Sequence, residues 1–470
     1  MKLLFAIPRS LFLAKLSLGV MVSMSVLSVH AQQVISLEQA ISIAQKNDPW
    51  LYSSQLKQEA ANHRSIASST LPDPKISISM MNLPTDSWEF DQEGMTQFKV
   101  GVTQMFPRGN TLELKESQLK IKASEFPFLR ADRKEKLKVM VSELWLEAYL
   151  AQKTIHLIES DWQLFEQMVE VAKASYSTAL GKTRQQDVIR AQLEIVQLED
   201  RLTTQKQKLE STIARLNEWL HVFDNSNLEG AFDFDRQPQT FLTSDHLPEI
   251  ELDNPSILPP GKHFRSRLAQ EFSDHPAILA IDIKERVSEK GVDLAKQQYK
   301  PQWGVNASYS YRDDMPSGQE RADLFSVGIS FDLPLFTGNR QDKQVAASIA
   351  ETESVKTEKL LLIKKMISAV EREIKKLNRL LQRQSLYNDQ LLTKSYEQAE
   401  VTLTAYTNDD GDFSEVVRAR IAELNTRISA LKIDVEVLKT IARINYFFAI
   451  ASADGYSNIN KGTSQDFGGK

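Results

Sequence analysis

Between Gly338 and Ile450 the sequence reads as a very long helix, a sharp turn and a helix returning alongside it. On the return arm Val417, Ile421, Leu424, Ile428, Leu431, Val435, Leu438 and Ala442 recur at alternating spacings of four and three, the seam of a coiled coil. A second apolar stripe, Ile433, Val437, Ile441, Ile444 and Phe448, lies about a hundred degrees around the same helix. Ile363, Ile367, Val370, Ile374, Leu377 and Leu381 repeat the rhythm on the outgoing arm. One seam makes a hairpin. Two seams need neighbours on both sides, and helices joined side by side in this way close into a ring.

The rest of the chain repeats this plan. Asp274-His275-Pro276 answers Asn47-Asp48-Pro49, and Pro301 answers Pro74, both 227 residues on. Gly338-Asn339 answers Gly109-Asn110 at 229, and Glu415-Val-Val-Arg-Ala419 echoes Asp187-Val-Ile-Arg-Ala191 at 228. An internal duplication is therefore the organising fact. Each repeat reads as a helix, two alternating strands, a long outgoing helix, a turn and a return helix. In the first repeat the outgoing helix starts at Thr111, with Pro127 marking a kink or a renewed helix capped by Ser124, and Gly181-Lys182 makes the turn. About 70 helical residues would span on the order of 100 Å, longer than an ordinary globular core uses.

These readings divide the 470 residues into five parts. Residues 1–31 form a secretory signal: Lys2, Arg9 and Lys15 precede or flank an apolar run, and Val29-His30-Ala31 offers small residues for cleavage. That run is too short for the roughly 20 residues of a spanning helix. Residues 32–221 form the first repeat, with strands at 75–83 and 96–105. An extended equatorial connector, rich in Asp, Asn and Pro, covers 222–262. The second repeat covers 263–450, with strands at 302–312 and 324–333. A polar tail, 451–470, reads as disordered.

Composition sets further bounds. There is no cysteine, which excludes disulfides, thiolate metal sites and a lipidated N-terminal cysteine. The net charge of -5 becomes -8 once the three positive charges of the signal are removed, so nucleic acid is not an expected partner. After residue 31 no segment approaches 18 consecutive apolar residues, so a membrane could be crossed only by a closed β-barrel.

The strands fit such a barrel. Phe98, Val100 and Val102 alternate with Lys99, Gly101 and Thr103; Trp303, Val305 and Tyr309 lie opposite Gly304, Asn306 and Ser308; and Phe325, Val327 and Ile329 lie opposite Ser326, Gly328 and Ser330. An aromatic exterior opposite small and polar residues suits lipid outside and water inside, which favours a barrel over a soluble hairpin packed on helices. Phe98, Val100, Val102, Trp303, Val305, Tyr309, Phe325, Val327 and Ile329 are the expected lipid-facing residues. Four strands cannot close, and open edges are not tolerated in lipid. Three copies supply twelve, within the range of known barrels. The expected fold is mainly α with a trimeric 12-strand transmembrane β-barrel, four strands per chain, continued by a long α-helical barrel.

The duplicated plan resembles the TolC family of outer-membrane efflux channels over residues 36–450. Leu71-Pro72-Asp73-Pro74 with Asn82-Leu83-Pro84 resembles the subgroup serving heavy-metal efflux pumps. The resemblance implies a homotrimer in the outer membrane of a Gram-negative bacterium, reaching into the periplasm to dock on a periplasmic adaptor and an inner-membrane pump. It implies a passive exit duct and not an enzyme, for metal cations or small toxic compounds. The rivals are the same duct in a type I protein secretion system, and a periplasmic coiled-coil scaffold without a pore.

No catalytic arrangement is visible, and no cofactor is expected. Seven histidines are scattered singly, without metal-ligand spacing. Met80, Met81, Met95 and Met105 suggest a soft-metal path, but strand and loop packing explain them more simply. The informative places are the hairpin tips: Leu180, Gly181, Lys182 and Thr183 at the first, Asn408–Asp412 at the second. Gly181 and Gly411 are expected in a left-handed backbone. The resemblance implies that these tips meet the adaptor and close the pore. The family's acidic Asp-Val-Leu-Asp entrance corresponds to Glu415-Val416-Val417-Arg418, so one carboxylate is retained and the second position is an arginine. Asp409, Asp410 and Asp412 lie nearby, and Asp187 matches the acidic position of the first hairpin.

Overall fold

The computed structural model describes residues 33–177, 184–221, 241–257, 263–408 and 410–451. The expected signal, the first tip, much of the expected connector and all but the first residue of the expected polar tail lie outside them. The first repeat runs through β1 (Gln33–Ile35), α1 (Leu37–Asn47), α2 (Pro49–Ser68), β2 (Lys75–Met81), β3 (Gln97–Phe106), α3 (Thr111–Ala123), α4 (Glu125–Ser177) and α5 (Gln185–Leu220). After β4 (Phe241–Thr243) and α6 (Phe264–Glu271), the second has α7 (Pro276–Gln297), β5 (Trp303–Tyr311), β6 (Leu324–Phe331), α8 (Gln341–Leu386), α9 (Leu392–Thr407) and α10 (Phe413–Phe447).

Local chemistry sets the helix starts. Ser36 opens α1 with a reciprocal cap: its hydroxyl accepts from the Gln39 N–H at 3.2 Å, and Gln39 Oε1 accepts from the Ser36 N–H at 3.1 Å. Asp48 and His275 occupy equivalent caps before Pro49 and Pro276. Asp48 accepts from the Trp50 N–H, and Nδ1 of His275 accepts from the Ala277 N–H, both at 3.1 Å. Ser124 behaves differently from the sequence expectation. Its hydroxyl donates to the Ile121 carbonyl at 2.7 Å, closing α3 rather than capping α4. Pro127 then sits in the first turn of α4, where no intrahelical N–H is missed.

The two stripes of α10 face two different cores. Leu431, Val435 and Leu438 pack with Trp145, Leu216 and Phe241, between α1, α4 and α5. Ile433, Val437, Ile441 and Ile444 pack with Val370, Ile374 and Leu377 of α8. Nearer the tip, Val417 and Leu424 join Phe165, Met168 and Leu198 in a third core. A smaller fourth core holds Phe128, Ala280 and Ile283. Trp145 is fully buried, and its indole N–H donates to the Ile35 carbonyl at 3.0 Å, fixing β1 beside β4. Truncating such a residue costs about 3–5 kcal/mol.

The outgoing arm of the second repeat departs from one uninterrupted helix. A turn of π-helix, Tyr387–Leu391, separates α8 from α9. The seam also shifts: Leu381 is 40% exposed and Leu380, at 7%, is buried instead, a step of three from Leu377. A π-turn inserts a residue into the helical count and re-aims the face beyond it. Among the described residues no helix is long and apolar enough to cross a membrane.

Candidate barrel sheet and pore-entrance tip

The four long strands form one antiparallel sheet in the order β2-β3-β5-β6, which leaves β2 and β6 with unpaired edges. Register puts Ile78, Val100, Tyr309 and Phe325 in one row and Ile76, Val102, Ala307 and Val327 in another. All nine residues expected to face lipid lie on this side and are exposed in the single chain. The opposite row is Ser77, Gly101, Ser308 and Ser326. It is crowded. A Cβ on Gly101 would lie 2.9 Å from Ser77 Oγ, one on Gly304 2.7 Å from Ser330 Oγ, and one on Gly328 2.8 Å from Asn306 Oδ1. Small residues let the sheet curve inward on this side.

Aromatic rows bound the apolar face. Phe106, Trp303 and Phe331 align at the helix end, with the Trp303 and Phe331 rings 4.8 Å apart. Phe98 pairs with Tyr311 at the loop end, where Phe90 stacks on Tyr311 at 6.1 Å. Eight residues of strand separate the rows along β3, on the order of 27 Å, or about 21 Å of height at the usual barrel tilt. The strands stop short of the expected 83 and 333. Asn82 turns left-handed at φ 53° and ends β2; beyond β6 the Asp332 carboxylate accepts from the Gln302 N–H at 2.7 Å, while the Asp332 N–H donates to the Gln302 carbonyl at 3.3 Å. The two loops are clasped: Arg321 donates to the carbonyls of Asp91 and Glu93 at 2.9 and 3.0 Å. Nothing local in the sequence signals that contact across more than two hundred residues.

At the other end, Leu180, Gly181, Lys182, Thr183 and Asp409 lie outside the described residues. The second tip is tightly built. The Asp410 N–H donates to the Ala405 carbonyl at 2.9 Å, and Asp412 Oδ1 caps α10 by accepting from the Ser414 N–H at 2.9 Å. Gly411 is not left-handed, contrary to expectation. Its requirement is steric: a Cβ would lie 2.7 Å from the Tyr406 backbone nitrogen, where the chain doubles back. Tyr406 and Phe413 meet edge to face at 5.5 Å across the turn.

Asp187 and Glu415 both stand at the third position of a return helix, but their surroundings differ. Asp187 is only 6% exposed, and its carboxylate accepts from the Arg184 N–H at 2.9 Å. Glu415 and Arg418 are exposed. Arg418 Nε donates to the Ser414 carbonyl at 3.2 Å, and among the described residues the two side chains form no ion pair with each other. Behind them Arg420 bridges Glu400 at 2.6 Å and Glu423 at 2.9 Å. Burial opposes its charge, but the bonds to both carboxylates outweigh it and hold its pKa above the ordinary value. Arg427 pairs with Asp161 at 3.0 Å, and Arg201 bonds Asn425 at 3.1 Å, tying α10 to α4 and α5. The sequence reading did not anticipate the Arg420 cluster; the three-residue spacing of Arg420 and Glu423 was its one local signal.

Among the described residues no group of three or more His, Cys, Asp and Glu could hold a metal ion. Met80 and Met81 belong to opposite faces of the sheet, beside Phe98 and Gln97 respectively.

Long paired helices in both repeats, with two strands from each joined in one antiparallel sheet, define the class of fold. Solved structures of that class match closely in shape. The structure of CusC aligns over 88% of this chain and 92% of its own with a TM-score of 0.66 at 14% identity. The CmeC outer-membrane channel of Campylobacter jejuni aligns over 90% and 88% with a TM-score of 0.68 at 12% identity. The open-state MtrE outer-membrane channel of Neisseria gonorrhoeae aligns over 88% and 89% with a TM-score of 0.65 at 13% identity. At such identity the likeness is one of fold. No family model matches the chain, and no curated protein matches it in sequence.

Proposed function

We propose that this chain is the outer-membrane exit duct of a tripartite efflux pump. Three copies pair β6 of one with β2 of the next and close a twelve-stranded barrel in the membrane. The helices form a second barrel in the periplasm, whose tips, including Gly181 and Gly411, dock on an adaptor fed by an inner-membrane pump. The duct is passive, and its cargo is small toxic compounds or metal ions; the metal reading rests on the Leu71–Pro74 and Asn82–Pro84 motifs.

One observation carries the proposal: a sheet with two unpaired edges turns an exposed aromatic and aliphatic face one way and small polar residues the other. Its apolar height, about 21 Å, approaches the roughly 25 Å band of outer-membrane barrels. A periplasmic scaffold without a pore has no use for that face. The test is fractionation followed by electrophoresis without heating. A heat-sensitive trimer released from outer membranes only by detergent is expected. Release by a salt wash, as a stable monomer, would refute the proposal.

A further inference from the structure

The inward face of the sheet carries two charges, and both are positive. Lys99 pairs with Ser79, and Lys75 pairs with Thr103, so both share the side of Ser77 and Ser308. Among the described residues the strand positions on this face hold no Asp or Glu, and neither lysine makes an ion pair. The acidic residues of this end lie in the loops, where Asp323 is already bonded to the Tyr309 hydroxyl and the Arg312 N–H. The charge is also confined to one repeat: 227 residues on, Lys75 and Lys99 correspond to Gln302 and Ser326.

Resting on the exit-duct reading, we propose that Lys99 and Lys75 form two cationic rings inside the barrel and select for anionic or neutral cargo against free multivalent cations. Three copies place three lysines at each level. The levels are four strand residues apart, about 13 Å along the strand or about 10 Å of height at the usual tilt, so a permeating ion meets one ring and then the other. A narrow water-filled bore with low-dielectric walls focuses such a field and can raise local anion concentration about tenfold or more. The loops at the outer rim and the second tip carry more acidic than basic residues, so this segment reverses the sign that cargo meets on either side of it. A metal cation would pass most readily when complexed by an anionic ligand.

The chain has no cysteine, so a single introduced thiol reports cleanly. The detergent-purified trimer carrying Ser79→Cys, beside Lys99, is placed in a planar bilayer and treated with anionic and cationic methanethiosulfonates. The anionic reagent should change the current about tenfold faster than the cationic one, and adding Lys99→Gln should remove most of that preference. Separately, the double variant Lys75→Glu with Lys99→Glu should move the reversal potential in a potassium chloride gradient toward potassium. Equal reagent rates in both backgrounds, or a reversal potential unmoved in a conducting double variant, would overturn the rings. A conducting trimer whose Ser79→Cys thiol never reacts would place this face away from water and overturn them too. Absence of conductance in the unsubstituted protein would instead bring down the duct reading itself, and the rings with it.

Discussion

The two repeats share positions and differ in chemistry. At the helix start before the proline, the first uses Asp48, which is buried and bonded to Arg133 at 2.8 Å, with that guanidinium over the Trp50 and Trp219 rings. The second uses His275, 1% exposed, whose Nε2 contacts the Tyr446 carbonyl at 3.0 Å. At the sheet-to-helix junction Gly109 is left-handed at φ 45°, whereas its counterpart Gly338 is not and has open space around it. At the tip, one acidic residue is spent on capping its own helix and the other is left free in solvent. Turn and cap positions are set by backbone geometry, which both repeats must satisfy. The side chains that satisfy it differ, Asp48 in one copy and His275 in the other.

The largest expected effect tests what the repeats still share. Val100 and Val327 are equivalent, 227 residues apart on the same face. Val100→Arg and Val327→Arg should each cost roughly 2–4 kcal/mol and suppress trimer yield in outer membranes, whereas Ser326→Arg meets water and should be tolerated. Equal yields of the three variants would break the assignment of faces. Next comes the pair of caps. Asp48→Ala removes a cap and strands a partly buried guanidinium, for about 2–4 kcal/mol, while His275→Ala should cost about 1 kcal/mol. Urea denaturation in detergent measures both, and a reversed order would show that the Arg133 pairing contributes little.

A third effect belongs to the second repeat alone. Burial pushes the His275 pKa below its ordinary value, against the Tyr446 carbonyl and Asp132, which favour the charged ring. The folded state then binds fewer protons than the unfolded one. Stability is full above the unfolded pKa near 6.5 and falls as pH drops below it, by at most about 1.4 kcal/mol per unit, until the folded pKa is passed. His275→Asn keeps a cap and should flatten that slope between about pH 6.5 and 5.5. An unchanged slope would assign it to other groups. The smallest effects are at the tips. Asp187→Ala should cost about 1 kcal/mol by orphaning the Arg184 N–H, and Glu415→Ala less than about 0.5 kcal/mol. In bilayers, however, Glu415→Gln should lower cation selectivity, and Arg418→Asp should raise it along with block by trivalent cations. Unmoved selectivity would remove both residues from the conduction path.

Much of this architecture is legible in the sequence because it is written as periodicity. The two stripes of α10, 35 residues long, reach separate cores, and strand alternation alone sorts Val327 from Ser326. What is not legible depends on close approach between distant segments. Gly411 is required by the backbone of Tyr406, not by its own dihedral angle. The direction of the Ser124 hydroxyl and the π-turn at Tyr387–Leu391 follow from how neighbouring turns pack, and no residue type announces them. At the tip the sequence places Asp412, Glu415 and Arg418 beside a turn. The Asp412-x-x-Glu415 spacing does carry a capping signal, but it cannot say that Arg418 bonds to a carbonyl rather than to Glu415.

The unpaired edges have a consequence for the order of assembly. Every residue of β2 is exposed, so one copy cannot satisfy the backbone groups along that edge or along β6. The helical cores, by contrast, already bury Trp145, Ile374 and Phe165 within one chain. If three copies close the barrel as proposed, helical packing should begin within each chain, while sealing of the sheet is an encounter between chains whose rate rises with their number. Until that encounter, each newly folded copy carries two adhesive margins, and dilution prolongs the interval during which it can join the wrong neighbour.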